Sequence, residues 1–334
     1  MNLTKFPRRV YSREPTPIHK LERLSNMLGG PKIYIKRDDM FGIFNPGGNK
    51  TRKLEYLMGD AIAQGCDTII TCGAVQSNHA RLALVAAITE GMDCHLILEQ
   101  RVPNSYNKSA GGNNFHYELL GATSITPVEG GADLMAIMTE KAQALSKQGK
   151  KPYIIPTGGS NEVGTIGYVA SVLETMWQLH QMNLTIDNIV LTSGSSGTHA
   201  GTLVGLHSLG MKIPVTGICI SRKAELQKPV VQSLIERTAA KIGTHAKPTP
   251  EDVVVFDDYV GDGYSRGTKG MAEAVKLLAR TEAIILDSVY TGKTMDGLLD
   301  LYRQGYFNNC ENILFIHTGG ASSLYEYKDQ VLSL

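Results

Sequence analysis

Ile189-Val-Leu-Thr-Ser-Gly-Ser-Ser-Gly-Thr-His-Ala-Gly201 passes from a strand pattern to a helix pattern through a loop of small residues. Ile189–Thr192 is a short apolar run, the pattern of a strand buried on both faces. From Ser193 onward, glycines and hydroxyl side chains open a helix that reaches Gly210. The same unit recurs along the chain. Strands are expected at 32–38, 68–72, 94–99, 124–128, 152–156, 189–192, 215–220, 253–256, 284–287 and 313–317. Helices are expected at 50–65, 80–91, 132–148, 166–182, 224–242, 268–280, 293–304 and 321–327, with a further one ending at Leu119-Leu-Gly-Ala122. Residues 1–31 read as an arm with a short helix around 21–28.

Strands alternating with helices indicate parallel sheets wound by right-handed crossovers, an α/β class. About ten strands are too many for one comfortable doubly wound sheet. The expectation is two domains, each an open, mostly parallel twisted sheet flanked by helices, with a cleft between them. No Pro-, Gly- or Ser-rich linker separates them, so the domains exchange chain segments: 1–50 with 160–334 in the larger, 51–159 in the smaller.

Composition excludes several classes. Lys+Arg 33 against Asp+Glu 32 gives a net charge of +1 over 334 residues, with no footprint for nucleic acid or an anionic membrane. No apolar run approaches the ~18 residues of a membrane span. The first residues lack the apolar block of a signal peptide. The five cysteines are odd in number, scattered and without a Cys-x-x-Cys pair. A cytoplasmic protein is expected. The nine histidines are dispersed and form no metal-binding cluster with carboxylates.

In open α/β sheets, ligands gather beyond the carboxyl ends of the strands. Four loops at such ends are rich in Gly, Ser, Thr and Asn: 45–50, 73–79, 193–201 and 318–323. The loop 193–201 presents backbone N–H groups and hydroxyls at a helix start, which suits a phosphate. A tight turn needing small residues fits it too. Its glycines at 194, 197 and 201 do not match a dinucleotide fingerprint, no Gly-Lys-Ser/Thr closes a P-loop, and Gly197 arrives one residue early for a nucleophile elbow.

Lys50 follows Gly47, Gly48 and Asn49 at another helix start. Asn49 is expected to cap that helix. The positive end of the dipole lowers an amine's proton affinity, which suits a nucleophilic or Schiff-base lysine, although many first-turn lysines are simply solvated. An anion cradle together with an activated lysine suggests pyridoxal 5'-phosphate. Gln76-Ser-Asn-His79 can hold a carboxylate at a third helix start, or serve only as a cap.

These residues carry a resemblance. Gly47–Tyr56, Gln76–His79, Ser193–Gly201, Asp287–Lys293 and His317–Gly320 resemble the fold type II, tryptophan-synthase-β-like pyridoxal-phosphate enzymes. Within these the chain resembles the branch of 1-aminocyclopropane-1-carboxylate deaminase, D-cysteine desulfhydrase and L-cysteate sulfo-lyase, over nearly its whole length. The resemblance implies the cofactor in the cleft, with Lys50 as Schiff-base lysine and proton shuttle. It places Asn78 on the cofactor's 3′-oxygen, Ser77 and His79 toward the substrate carboxylate, and Ser195, Ser196, Gly197 and Thr198 around the phosphate. Tyr264 and Tyr290 match pocket tyrosines, and with Lys50 and Ser77 form the implied catalytic set.

Where the deaminases carry Glu and Leu beside the cofactor nitrogen, this chain has Thr291 and Thr318. A hydroxyl leaves a shallower electron sink than a carboxylate, enough to expel a good β leaving group but poorly suited to opening a cyclopropane. The expectation is a carbon–sulfur lyase acting on a three-carbon sulfur amino acid, D-cysteine or L-cysteate, by α,β-elimination, giving pyruvate, ammonia and sulfide or sulfite. For a sulfonate leaving group, Lys108, His79 and the loop 104–114 are the candidate donors. The residues after Arg81 depart from the desulfhydrase pattern, which loosens the D-cysteine assignment. Ring-opening deaminase and amino-acid racemase stand as enzymatic alternatives, and a phosphate- or cofactor-binding protein as the non-enzymatic one. The resemblance also implies a homodimer.

Overall fold

The computed structural model describes residues 1–245 and 247–334. In chain order the elements are β1 (Ile18–Lys20), α1 (Glu22–Leu28), β2 (Lys32–Lys36), α2 (Lys50–Ala63), β3 (Thr68–Ala74), α3 (Asn78–Thr89) and β4 (Asp93–Gln100). There follow α4 (Gly112–Leu119), β5 (Ser124–Glu129), α5 (Leu134–Ser146), β6 (Pro152–Ile155), α6 (Glu162–Gln181), β7 (Asn188–Ser193) and α7 (Gly197–Ser208). The remainder is β8 (Val215–Cys219), α8 (Ala224–Ile242), β9 (Val254–Phe256), α9 (Lys269–Glu282), α10 (Thr291–Arg303), β10 (Asn312–Ile316), α11 (Ala321–Glu326) and α12 (Asp329–Leu332).

Two sheets divide the strands. One has the order β1-β2-β10-β7-β8-β9 and the other β5-β4-β3-β6. Every pairing is parallel except β1 with β2. Helices cover both faces of each sheet, which explains the near-continuous apolar strands. In the larger sheet, Ile33, Ile35, Phe315 and Ile313 pack toward α1, α9 and α10, while Leu191, Ile189 and Leu314 pack toward α6, α7 and α8. In the smaller sheet, Ile69, Leu96 and Leu98 meet α2 and α3, and Ile70, Cys72 and Ile97 meet α5. Gly205 lets α7 lie close on α6: a Cβ there would stand 2.8 Å from Val172.

Two expectations about strands fail. Ile284–Asp287 is not a strand, although Ile284 and Leu286 are buried and Ile285 is exposed. Their alternation satisfies packing on α9 and α10, and the neighbouring β10 already has β2 and β7 on its two sides. Ile18–Lys20 instead forms the antiparallel edge strand, too short to show a period.

The start of α2 is pinned by buried charge. Arg52 donates to Asp38 (2.7 and 3.0 Å) and to Glu174 (2.8 and 2.9 Å), and its guanidinium lies 4.1 Å over the Phe41 ring. Tyr168 donates to Asp38 at 2.7 Å, and Lys36 to Glu174 at 2.5 Å. This cluster ties α2, α6 and β2 together two residues beyond Lys50.

Candidate active site

A cavity of about 290 Å³ opens between the two sheets, lined from both. Lys50, Ser77, Asn78, His79, Ser195, Ser196, Thr198, Tyr264, Tyr290 and Thr318 all lie on its wall. Gly197 lies just behind, at the first position of α7. Segments far apart in sequence meet because all but the one carrying Tyr290, which joins α9 to α10, are strand-to-helix loops at the same end of their sheets.

Lys50 is the first residue of α2, and its titration is pushed down from 10.5 to about 8 by burial. Desolvation penalises the charged amine, and no carboxylate lies within ion-pair distance to offset it among the described residues. Asn49 holds the N-cap position without capping: its Nδ2 donates to Thr198 Oγ1 at 3.0 Å. The side chain expected to close its own helix instead ties the lysine loop to the phosphate loop.

That phosphate loop is built to receive an anion. Ser196 precedes α7 in a left-handed conformation (φ 74°) and makes no side-chain cap bond, so the N–H groups of Thr198 and His199 in the first turn of α7 are left for a ligand. Lys53, one turn after Lys50, is buried beneath the loop and donates to Gly158 O (3.1 Å) and Ser160 Oγ (2.9 Å). Burial and Lys50 push its titration well down, and no carboxylate pairs with it among the described residues. Ser160 also donates to Ser195 Oγ at 2.8 Å and accepts from Gly197 N at 3.3 Å. A Cβ on Gly197 would stand 2.6 Å from Lys53 Nζ and 2.8 Å from Ser160 Oγ, so a side chain here would displace one of them. Uncapped donors over a buried, acid-free lysine fit a phosphate ester.

The helix start at Ser77 differs. Its Oγ accepts from Ala80 N at 3.1 Å, a conventional N-cap, leaving the hydroxyl proton for the cavity. Asn78 Oδ1 accepts from Asn113 Nδ2 at 2.9 Å, which frees the Asn78 amide N–H groups. His79 is buried with Nε2 2.9 Å from Thr71 Oγ1, and burial with Lys50 and Lys53 nearby pushes its titration well down. It therefore faces the cavity as a neutral ring.

Tyr264 and Tyr290 meet edge to face, ring centroids 5.8 Å apart, with their hydroxyls hydrogen-bonded to each other. Burial pushes both phenols up, and Arg101 pulls both the other way. Lys293 positions the loop carrying Tyr264 by donating to Val260 O (2.6 Å) and Gly263 O (2.9 Å).

The two threonines part company. Thr318 lines the cavity. Thr291 does not: it is fully buried, its hydroxyl donates to Asp287 Oδ1 at 2.7 Å and accepts from Asp287 N at 2.9 Å. Asp287 also accepts from the backbone of Val289, Tyr290 and Thr291, closing the start of α10. The hydroxyl expected beside the cofactor nitrogen is thus committed to a helix cap. Lys108 is also absent from the cavity; it is exposed and lies 3.6 Å from Glu118.

Sequence reasoning missed Lys53, Arg101, Ser160 and Asp287. Lys53 carried a usable signal, its spacing one turn from Lys50 on the same helix face. Arg101 and Ser160 carried none, since only the docking of the two sheets brings them to the cavity.

Residues 11–319 match the family model for "Pyridoxal-phosphate dependent enzyme". The chain is 42% identical to a D-cysteine desulfhydrase of Yersinia enterocolitica over 330 residues, covering 98% of each. It is equally similar, 42% over 331 residues and 99% of each chain, to a D-cysteine desulfhydrase of Salmonella typhimurium. Among solved structures it superposes on an "ACC deaminase homologue" with a TM-score of 0.88 and 39% identity, covering 99% of this chain and 97% of that one. Diaminopropionate ammonia lyase of Escherichia coli shares the fold at a TM-score of 0.70 and 17% identity, over 96% of this chain and 88% of that one.

Proposed function

The chain belongs to the pyridoxal-phosphate-dependent enzymes, and from that premise we propose that it is a carbon–sulfur lyase that converts D-cysteine to pyruvate, ammonia and hydrogen sulfide. The observation that carries the choice is a cavity wall with Thr318 and without aspartate or glutamate among the described residues. No acid is placed there to hold a pyridine nitrogen protonated, which favours expulsion of a β-substituent over ring opening. Full-length similarity to D-cysteine desulfhydrases supports the same reading.

Pyridoxal phosphate, when bound, supplies the sink for the electron pair of the α-carbon. Lys50 would hold its aldehyde, Ser195, Ser196, Gly197 and Thr198 its phosphate with Lys53 behind them, and Asn78 its 3′-oxygen. Thr318 would face its ring nitrogen, since Thr291 is held by Asp287. Ser77 Oγ and the α3 N–H groups bind the substrate carboxylate, with His79 as a neutral partner. Lys50 Nζ, freed when substrate binds, takes the α-proton; a titration near 8 leaves a working share of neutral amine at physiological pH. The one hydroxyl of the Tyr264–Tyr290 pair whose proton is not spent on the other assists at the β-substituent. We place the domain division at 50/51 and 159/160, and the partition of strands between the two sheets supports it. A homodimer in the cytoplasm completes the reading; none of the described helices is long and apolar enough to cross a membrane.

The test is to incubate the purified protein with D-cysteine, L-cysteine, L-cysteate and 1-aminocyclopropane-1-carboxylate separately, assaying pyruvate, sulfide and sulfite. Pyruvate with sulfide from D-cysteine is expected. Pyruvate with sulfite from L-cysteate alone, ammonia from the cyclopropane, or interconversion of the cysteine enantiomers without pyruvate would each overturn it.

A further inference from the structure

Among the described residues three cations line the cavity, Lys50, Arg101 and Arg222, and the proposed reaction gives a task only to Lys50. Arg222 stands at the phosphate end, where Nη1 donates to Gly194 O at 3.1 Å and to Gln227 Oε1 at 3.2 Å. Lys50 serves the aldehyde and the α-proton. Arg101, just beyond β4, lies at the opposite end, beside the tyrosine pair. Its guanidinium is held on two sides. Nε donates to Glu99 Oε2 at 2.6 Å, and Cζ lies 4.4 Å over the Tyr264 ring. Glu99 is itself fixed, its other oxygen accepting from Gly131 N at 3.0 Å. Neither Nη group hydrogen-bonds another described residue. A guanidinium immobilised through its Nε and its face, with its Nη edge unused on a cavity wall that has no carboxylate among the described residues, is an anion site.

Two anionic groups are already placed, the phosphate at the start of α7 and the substrate carboxylate at the start of α3. We propose that Arg101 is the leaving-group residue: its Nη groups receive the β-substituent of the substrate and stabilise the negative charge that the substituent carries away. This rests on the lyase reading above. The α-proton goes to Lys50 Nζ, the C–H pair becomes the new C=C bond, and the carbon–sulfur pair departs with sulfur as hydrosulfide against Arg101. Hydrolysis of the released enamine completes the balance: D-cysteine and water give pyruvate, ammonia and hydrogen sulfide, with no oxidant or reductant. Tyr264 and Tyr290 are weaker candidates for this task, because burial keeps both phenols protonated while the guanidinium arrives already charged. The site accordingly selects three-carbon amino acids whose β-group leaves as an anion needing stabilisation.

The experiment compares the wild-type holoenzyme with Arg101→Met and Arg101→Lys on D-cysteine and on 3-chloro-D-alanine, whose chloride departs unaided. Removing one preorganised donor of developing charge costs about 10²-fold in rate. Arg101→Met should therefore lose about 10²-fold in kcat on D-cysteine and less than about threefold on the chloro compound. Arg101→Lys, which keeps the charge and loses the fork, should recover part of the D-cysteine rate; should the methionine variant fail to fold, it carries the same comparison with a smaller selective loss. Equal losses on both substrates, or no loss on either, would overturn the assignment and leave Arg101 a support for Tyr264. A wild-type enzyme that yields no pyruvate from either substrate would instead overturn the lyase reading beneath it.

Discussion

Replacing Lys50 by methionine should make the cofactor-free protein more stable, and by an amount that depends on pH. Lys50 titrates at about 8 in the folded chain against an ordinary value of 10.5, because its amine is desolvated without a compensating acid. At about 1.4 kcal/mol per pKa unit, keeping that amine protonated costs the folded state about 3 kcal/mol at pH 7. Between pH 8 and 10.5 the folded protein has released a proton that the unfolded chain still holds, so the wild type gains stability as pH rises through this window. Below pH 8 the full penalty stands. Methionine at position 50 has no such dependence. The stability advantage of Lys50→Met should therefore shrink by about 2.5 kcal/mol between pH 7 and pH 10, whatever constant the new side chain adds. Urea unfolding of both cofactor-free proteins at the two pH values measures it. An advantage that does not change with pH would mean that Lys50 is hydrated and ordinary, and the argument for an amine prepared by burial would fail.

Gly197→Ala should fold normally but bind pyridoxal phosphate about 10- to 100-fold more weakly, because the new methyl displaces Lys53 Nζ or Ser160 Oγ from beneath the cradle; titration of the cofactor-free protein by absorbance reads it. Thr318→Val should shift the visible band of the bound cofactor with little change in melting temperature. Thr291→Val should do the reverse, lowering stability by about 1–3 kcal/mol through the bonds it makes to Asp287, and a matching spectral shift in that variant would place it at the cofactor after all. Glu174→Ala should destabilise by about 3 kcal/mol, since Lys36 and Arg52 would then share Asp38 alone inside the core, and chemical denaturation with an unchanged melt would contradict this.

The paired motifs made most of the chemistry legible in the sequence. Ser193–Gly201 announced a strand, an anion loop and a helix through residue types alone, and the glycines behind Lys50 announced a second helix start. These signals are local: apolar runs, glycine and hydroxyl residues act over a few positions, so the chain displays them unfolded. Helix starts were read late for the same reason. The expected starts at 80, 166 and 293 lie at Asn78, Glu162 and Thr291, because polar residues that look like loop form the first helical turns when a side chain such as Ser77 or Asn161 caps them. Tertiary structure alone decided which polar groups reach the cavity. It turned Asn49 away from its own helix to Thr198, committed Thr291 to Asp287, left Lys108 outside, and brought Arg101 under no sequence signal onto Tyr264. A hydroxyl or guanidinium takes the nearest partner of good geometry, and which partner is nearest is fixed only when the loops and helices are packed into place.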